Sequence, residues 1–222
     1  NPGTGKTTVA RIISRLLCGL KILETGHTVE TDRSGLVAQF AGQTGPRTNE
    51  RVDEALGGVL FVDEAYSLVS ERGEDAYGVE AVQTLLKRME DDRDRFVVVI
   101  AGYPRPMREM LKTNPGLNSR FQRTYRFPDY TAKELLKIFY VFCKKYHYRL
   151  PNETRIKLLK GFGKLVKSKD ETFGNGRLAR NLFEDAIRRM STRIIGQTPL
   201  TRDLLTKIEP EDIEFASVTQ EF

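Results

Sequence analysis

Asn1-Pro2-Gly3-Thr4-Gly5-Lys6-Thr7-Thr8 is the back end of the pattern G-x-x-x-x-G-K-[ST], whose first glycine would stand before residue 1. Glycines so spaced let successive backbone N–H groups converge on one anion. Lys6 adds a charge that reaches the outer phosphates of a nucleotide, and Thr7 and Thr8 add hydroxyls, Thr7 being placed for Mg²⁺. The amphipathic run Val9-Ala10-Arg11-Ile12-Ile13 follows at once, so a helix N-terminus also faces the anion. Further on, Gly58-Val59-Leu60-Phe61-Val62-Asp63-Glu64 is an apolar run ending in two carboxylates. In an α/β sheet, ligands gather at the carboxyl ends of strands. Asp63 there can hold Mg²⁺ through water, and Glu64 can orient the water that attacks a γ-phosphate. A Gly-rich turn or an acidic strand end is common alone. Together, in this order, they describe hydrolysis of a nucleoside triphosphate, a chemistry of positioning and charge.

Hydrophobic periodicity shows which elements must carry these groups. Strands are expected at Thr28-Val29-Glu30, Val59–Val62, Phe96–Ala101 and Thr124–Phe127, the two middle ones continuously apolar, as strands covered on both faces are. Helices are expected at 7–18, 46–56, 77–91 and 105–112, with Gly57-Gly58 stopping the second. Alternation of strands and helices predicts an α/β fold with a parallel sheet flanked by helices. After Pro128-Asp129-Tyr130 the strand pattern ends. Thr131-Ala132-Lys133-Glu134 has the form of a capping box, predicting a helix to about Tyr146, with others at 152–166, 176–195 and 200–206. Ile213-Glu214-Phe215 is expected as a short terminal strand. The chain therefore divides into an α/β nucleotide-binding subdomain, 1–128, and an all-α lid subdomain, 129–216.

Composition excludes several classes. With 30% charged and 39% hydrophobic residues the chain is an ordinary globular one. No apolar run approaches the roughly 18 residues of a membrane span, so no membrane partner is expected. The charge balance, 36 − 30 = +6, is scattered, with some concentration from Lys144 to Lys169. Without interleaved aromatic and basic residues it reads as a solvated helix face, which speaks against nucleic acid as a partner. Cys18 and Cys143 stand alone and His27 and His147 are isolated, so all four are structural or solvent-facing, in a reducing compartment.

Beyond the two nucleotide motifs, the chain carries Leu36-Val37-Ala38-Gln39-Phe40-Ala41-Gly42-Gln43-Thr44, Ala101-Gly102-Tyr103, Asn114-Pro115-Gly116-Leu117-Asn118-Ser119-Arg120, Phe127-Pro128-Asp129-Tyr130 and Gly174-Asn175-Gly176-Arg177. In this order the segments resemble the AAA+ ATPases over nearly the whole chain, and more narrowly the subgroup of CbbX (CfxQ) and SpoVK. That resemblance implies a P-loop AAA+ core with a helical lid, ATP and Mg²⁺ as ligands, and a homo-oligomeric ring, a hexamer. Pro2 to Thr8 would line the phosphates, with Thr7 and Asp63 on the metal and Lys6 and Glu64 in catalysis. Arg120 matches the arginine finger that reaches a neighbouring subunit's ATP, with Arg123 as rival. Arg177 matches the sensor-2 arginine, with Arg180 as runner-up. Phe40-Ala41-Gly42 matches the tip of a central-pore loop that grips a threaded protein. Phe40 would otherwise be core, but Ala41-Gly42-Gln43-Thr44-Gly45 after it reads as a loop. Ser70-Glu71-Arg72-Gly73-Glu74-Asp75 stands evenly between a second pore loop and an ordinary polar loop.

The implied function is ATP-driven remodelling of a protein client, in the cytoplasm or, for a plastid relative, the stroma. CbbX relatives suggest Rubisco as that client; SpoVK relatives occur without it. A nucleic-acid-associated motor or clamp-loader-like ATPase is the competing reading, favoured only by the net charge. The chain departs from the pattern in places. The strand ahead of the phosphate loop lies outside the sequence, so the sequence is expected to be a fragment. Gly102-Tyr103 stands near the place of the usual sensor-1 Asn or Thr, so that either the Tyr103 hydroxyl takes that role or the role is lost. Asn118 replaces an arginine frequent in CbbX relatives, and Ala41 is small for a pore-loop tip.

Overall fold

The computed structural model describes residues 1–69, 75–170 and 173–215. Two compact units form: Lys6–Tyr125, and Asn1–Gly5 together with the chain from Arg126 onward.

The first unit runs α1 (Lys6–Gly19), β1 (Thr28–Thr31), α2 (Arg33–Leu36), α3 (Thr44–Ala55), β2 (Val59–Val62), a 3-10 turn (Ala65–Leu68), α4 (Ala76–Asp91), β3 (Val97–Ile100), α5 (Pro104–Thr113) and α6 (Pro115–Arg120). The strands form a parallel sheet in the order β1-β2-β3, with Leu60 opposite Val29 and Val98. β2 is the middle strand and every residue in it is buried, which explains its unbroken apolar run. Ala10 of α1 packs on Phe61 and Ala101. One turn on, Ser14 Oγ donates to the His27 carbonyl, just ahead of β1, at 2.6 Å. These two contacts set α1 antiparallel to the strands, and so its first residue, Lys6, lies towards the strands' carboxyl ends. The other face of the sheet carries Leu36, Val52, Leu68, Val82 and Leu85.

Short helices escaped the periodicity. α2 is a single turn capped by Asp32, whose carboxylate accepts from Gly35 N at 3.1 Å, and α6 is capped in the same way by Asn114 through Leu117 N at 3.1 Å. Side-chain caps, not apolar spacing, hold such turns. The strand expected at 124–127 does not form. Tyr125 is 70% exposed, and no described strand offers these residues a ladder partner; β-propensity without a partner leaves irregular backbone.

The second unit contains α7 (Ala132–Lys145), α8 (Asn152–Lys167), α9 (Asn175–Ile194), α10 (Arg202–Thr206) and a 3-10 turn (Pro210–Asp212). The capping box forms as its sequence demands: Thr131 Oγ1 accepts from Glu134 N at 3.3 Å and Glu134 Oε2 accepts from Thr131 N at 2.8 Å. Leu135, Phe139, Leu158, Phe162, Leu182, Phe183 and Ile208 make the core, with the Phe139 and Phe183 rings edge to face at 5.6 Å. Cys143 is part of it, and burial pushes its thiol up to about 12. The strand expected at 213–215 is absent. Instead Asp212, 1% exposed, is gripped by Arg193 through Nε at 2.8 Å and Nη2 at 2.9 Å, and the Phe215 ring meets Phe162 edge-on at 5.5 Å. The apolar residues there plug a helical core rather than extend a sheet. Among the described residues no helix is long and apolar enough to cross a membrane.

Candidate functional site

The phosphate loop hands over to α1 at Lys6, so Lys6, Thr7 and Thr8 occupy the helix's first turn, where N–H groups lack intrahelical acceptors. Across the sheet edge, Asp63 N donates to the Thr31 carbonyl at 2.8 Å, one step past the last ladder pair of β1 and β2. The chain then turns sharply. Glu64 adopts φ 47° and ψ 41°, a left-handed conformation costing a non-glycine residue about 1–2 kcal/mol. Three hydrogen bonds hold it there: Glu64 N to Asp63 Oδ1 at 3.0 Å, Ala65 N to the Ala101 carbonyl at 3.0 Å, and Ser67 N to the Glu64 carbonyl at 2.8 Å. The result is an exposed carboxylate at the end of a buried strand. Strain kept by surrounding bonds is the usual condition of a functional turn.

Two aromatic rings connect the lysine to the acids. Lys6 Nζ lies 5.9 Å from the centre of the Tyr103 ring, and that ring lies 6.2 Å from the Tyr66 ring. Burial, then the Glu64 charge, then Tyr103 and Asp63 hold the Tyr66 phenol above its ordinary value. Lys6, Asp63 and Glu64 are thus brought to one edge of the sheet. Asp63 and Thr7 offer hard oxygen donors, the set Mg²⁺ takes together with phosphate oxygens. Among the described residues no group of three His, Cys, Asp or Glu gathers as a metal cage.

Asn1–Gly5 are bound by the second unit. Asn175, fully buried and at φ 48°, is the centre of the arrangement. Its Nδ2 donates to the carbonyls of Pro2 at 3.2 Å and Phe173 at 2.9 Å and to Asp129 Oδ1 at 2.9 Å, while its Oδ1 accepts from Tyr130 N at 2.8 Å. Asn1 Nδ2 reaches the same Asp129 oxygen at 2.8 Å, Gly176 N donates to the Gly3 carbonyl at 2.9 Å, and the Tyr130 hydroxyl donates to the Thr4 carbonyl at 3.0 Å. Gly3 has φ +68°, and a Cβ on it would stand 2.2 Å from the Gly174 carbonyl oxygen. Only glycine fits. The sequence singled out Phe127-Pro128-Asp129-Tyr130 and Gly174-Asn175-Gly176-Arg177 without a role for Asp129, Tyr130 or Asn175. Their role here is to tie down the start of the phosphate loop. The signal available was two polar residues, Asp129 and Asn175, inside segments otherwise made largely of Gly, Pro and aromatic residues.

The remaining candidates lie apart. Arg177 is exposed, two residues along α9 from Asn175. Arg180 pairs with Glu184 at 2.8 Å. Arg120 ends α6 and donates to Glu90 Oε2 at 3.0 Å; Arg123 is exposed. Phe40 is 67% exposed on the connection between α2 and α3, and Ala41 and Gly42 are exposed beside it, so Phe40 is not core. The loop's ends are clamped: Ala38 N donates to Thr44 Oγ1 at 3.2 Å, and Thr48 Oγ1 to the Leu36 carbonyl at 3.0 Å. Of the segment 70–75, only Asp75 lies within the described residues; it caps α4 by accepting from Gly78 N at 3.0 Å.

Residues 1–129 match the ATPase family associated with various cellular activities (AAA), and residues 131–221 match the AAA lid domain. Stage V sporulation protein K of Bacillus subtilis is 42% identical over 96% of this chain, which spans 66% of that protein. A CfxQ homolog of Trieres chinensis is 41% identical over 96% of this chain, which spans 73% of it. A point mutant of Thermotoga maritima RuvB superposes with a TM-score of 0.64 at 21% identity, covering 99% of this chain and 59% of that one, a likeness of fold alone. The lysine loop, the acidic strand end and the capped lid thus have a common origin: the chain is an ATPase domain with its lid, and belongs to the AAA family.

Proposed function

We propose that this chain is the motor of a homo-oligomeric ring, a hexamer, that uses Mg-ATP to remodel a protein client. In this reading the backbone of Pro2 to Thr8 and the Lys6 ammonium bind the β- and γ-phosphates, and Thr7 and Asp63 hold Mg²⁺. The metal, when bound, neutralises charge developing on the phosphate oxygens. Glu64 orients the attacking water and accepts its proton. Arg120 of one subunit reaches the neighbour's γ-phosphate, and Arg177 reads the same phosphate. Its loss on hydrolysis is a local charge change that a ring converts to movement.

The observation that supports a protein client is Phe40. A large aromatic side chain, 67% exposed on a loop clamped at both ends, supports this reading, since it can grip a polypeptide by van der Waals contact that any sequence can supply. The client class suggested by CfxQ-like relatives is Rubisco, in the cytoplasm or a plastid stroma. The test is a pull-down with Glu64→Gln in the intact protein. With ATP present it should retain nucleotide and trap a protein client, while its turnover disappears. Unchanged turnover would remove Glu64 from catalysis, and stimulation of wild-type hydrolysis by DNA or RNA but not by any protein would overturn the client assignment.

A further inference from the structure

We propose that Tyr103 is a positioning residue for Lys6, acting through the face of its ring and not through its hydroxyl. The inference rests on the reading of Lys6 as the phosphate-binding lysine. An ammonium about 6 Å from a ring centre is attracted by the ring's negative face, and Lys6 Nζ stands at 5.9 Å from that of Tyr103. Lysine is a point charge on a flexible four-carbon stem, and an aromatic face beside it narrows where that charge goes before ATP arrives.

Tyr103 is itself well fixed. It precedes α5, with Pro104 and Pro106 in the first turn, and its carbonyl accepts from Met107 N at 3.0 Å. Its ring rests at 47° against Tyr66. The neighbouring Gly102 leaves room for that tilted ring pair: a Cβ on it would stand 2.7 Å from Tyr66 Cδ1 and 2.8 Å from Met107 Sδ. Gly102 is therefore required by the packing of the platform. Tyr66 is in turn within the field of Glu64 and Asp63. Lys6, Tyr103 and Tyr66 thus form one line of contacts, with Glu64 and Asp63 acting on Tyr66, and Tyr103 takes part in it through its ring and its backbone. A hydroxyl sensor and a ring platform make opposite demands on the residue at this position.

The experiment compares Tyr103→Phe with Tyr103→Leu in the intact protein, measuring ATP Kd by calorimetry, KM, kcat and the thermal midpoint. Tyr103→Phe keeps the ring and should match wild type. Tyr103→Leu should weaken ATP binding and raise KM by about 3- to 30-fold, the span of the lysine rotamer freedom that the ring no longer limits in advance. Its kcat should stay within about twofold, because the ring acts on ground and transition states alike. If leucine lowers the thermal midpoint, Tyr103→Met supplies the same comparison. A loss of kcat in Tyr103→Phe would assign the role to the hydroxyl and overturn the proposal, as would wild-type affinity without a ring. Lys6→Ala separates the two levels. Undiminished ATP affinity there would defeat the site reading itself, whereas lost affinity there beside normal affinity in Tyr103→Leu would defeat the platform alone.

Discussion

Arg120 donates through Nη2 to Glu90 Oε2 at 3.0 Å, joining the last residue of α6 to the end of α4. Its Nη1 lies 3.5 Å from the Gly116 carbonyl oxygen, within its own helix. The pair is well exposed, Glu90 at 61%, so it contributes only about 0.2–1 kcal/mol to stability. Its consequence is for aim. Glu90 biases the direction of the guanidinium, and in the proposed ring its remaining N–H groups are the ones a neighbour's phosphate would take. Arg120→Ala should therefore lower hydrolysis by roughly 10³-fold or more with little change in ATP affinity or melting. Mixing it with Glu64→Gln subunits should restore turnover at interfaces where both intact groups meet. Phosphate release that stays at background in every proportion would argue against a shared site.

Phe40 gives the opposite contrast between stability and work. Truncating a side chain already 67% exposed creates no cavity, so Phe40→Ala should change stability by no more than about 0.5 kcal/mol. Basal hydrolysis should persist and client remodelling should stop. A urea midpoint shifted by several times that amount would mean the ring is buried against something in the assembled protein.

Asn175 is where a single substitution should cost most. Asn175→Ala removes the bonds its amide makes to Pro2, Asp129, Tyr130 and Phe173 and leaves a methyl group at φ 48°. Leaving those buried groups without partners should destabilise the protein by about 3–5 kcal/mol. Asn175→Gly loses the same bonds without the backbone strain, and should be less damaging by roughly 1 kcal/mol. Equal midpoints for the two variants would show that the left-handed backbone carries no strain.

Much of this was legible in the sequence, for identifiable reasons. β2 reads plainly because it is buried on both faces, and α7 because Thr131 and Glu134 write their capping box into the sequence. Lys6, Asp63 and Glu64 stood out in the sequence because a triphosphate site would restrict residue type in these motifs, and the fold brings the three to one edge of the sheet. What escaped depends on contacts distant in sequence. Nothing local says that Asn175 will meet Pro2, or that the Tyr103 ring will lie against Tyr66 and beneath Lys6. The same cause misled the reading of Thr124–Phe127. Its residue types suit a strand, but a strand also needs a neighbour to pair with.

Asp129 ties the loop anchor to pH. Burial raises the cost of its charge, but hydrogen bonds from Lys169, Asn175 and Asn1 outweigh it and hold the carboxyl below its ordinary value. Lys169 Nζ stands at 2.9 Å from Oδ2. A carboxyl depressed in the folded state stabilises fully above its unfolded pKa, and that contribution is lost as pH falls through the folded value. Thermal midpoints measured from about pH 6 down to about pH 2 should therefore separate wild type from Asp129→Asn at the upper end and draw together as pH falls, since protonation removes the charge that the variant already lacks. Asp32, Asp75, Asp92 and Glu134 are also depressed and will give both proteins a common acid slope, so the informative quantity is the difference between the curves. A difference that stays constant across the range would mean that Asp129 holds the loop by shape and hydrogen bonding alone, with its charge making no contribution.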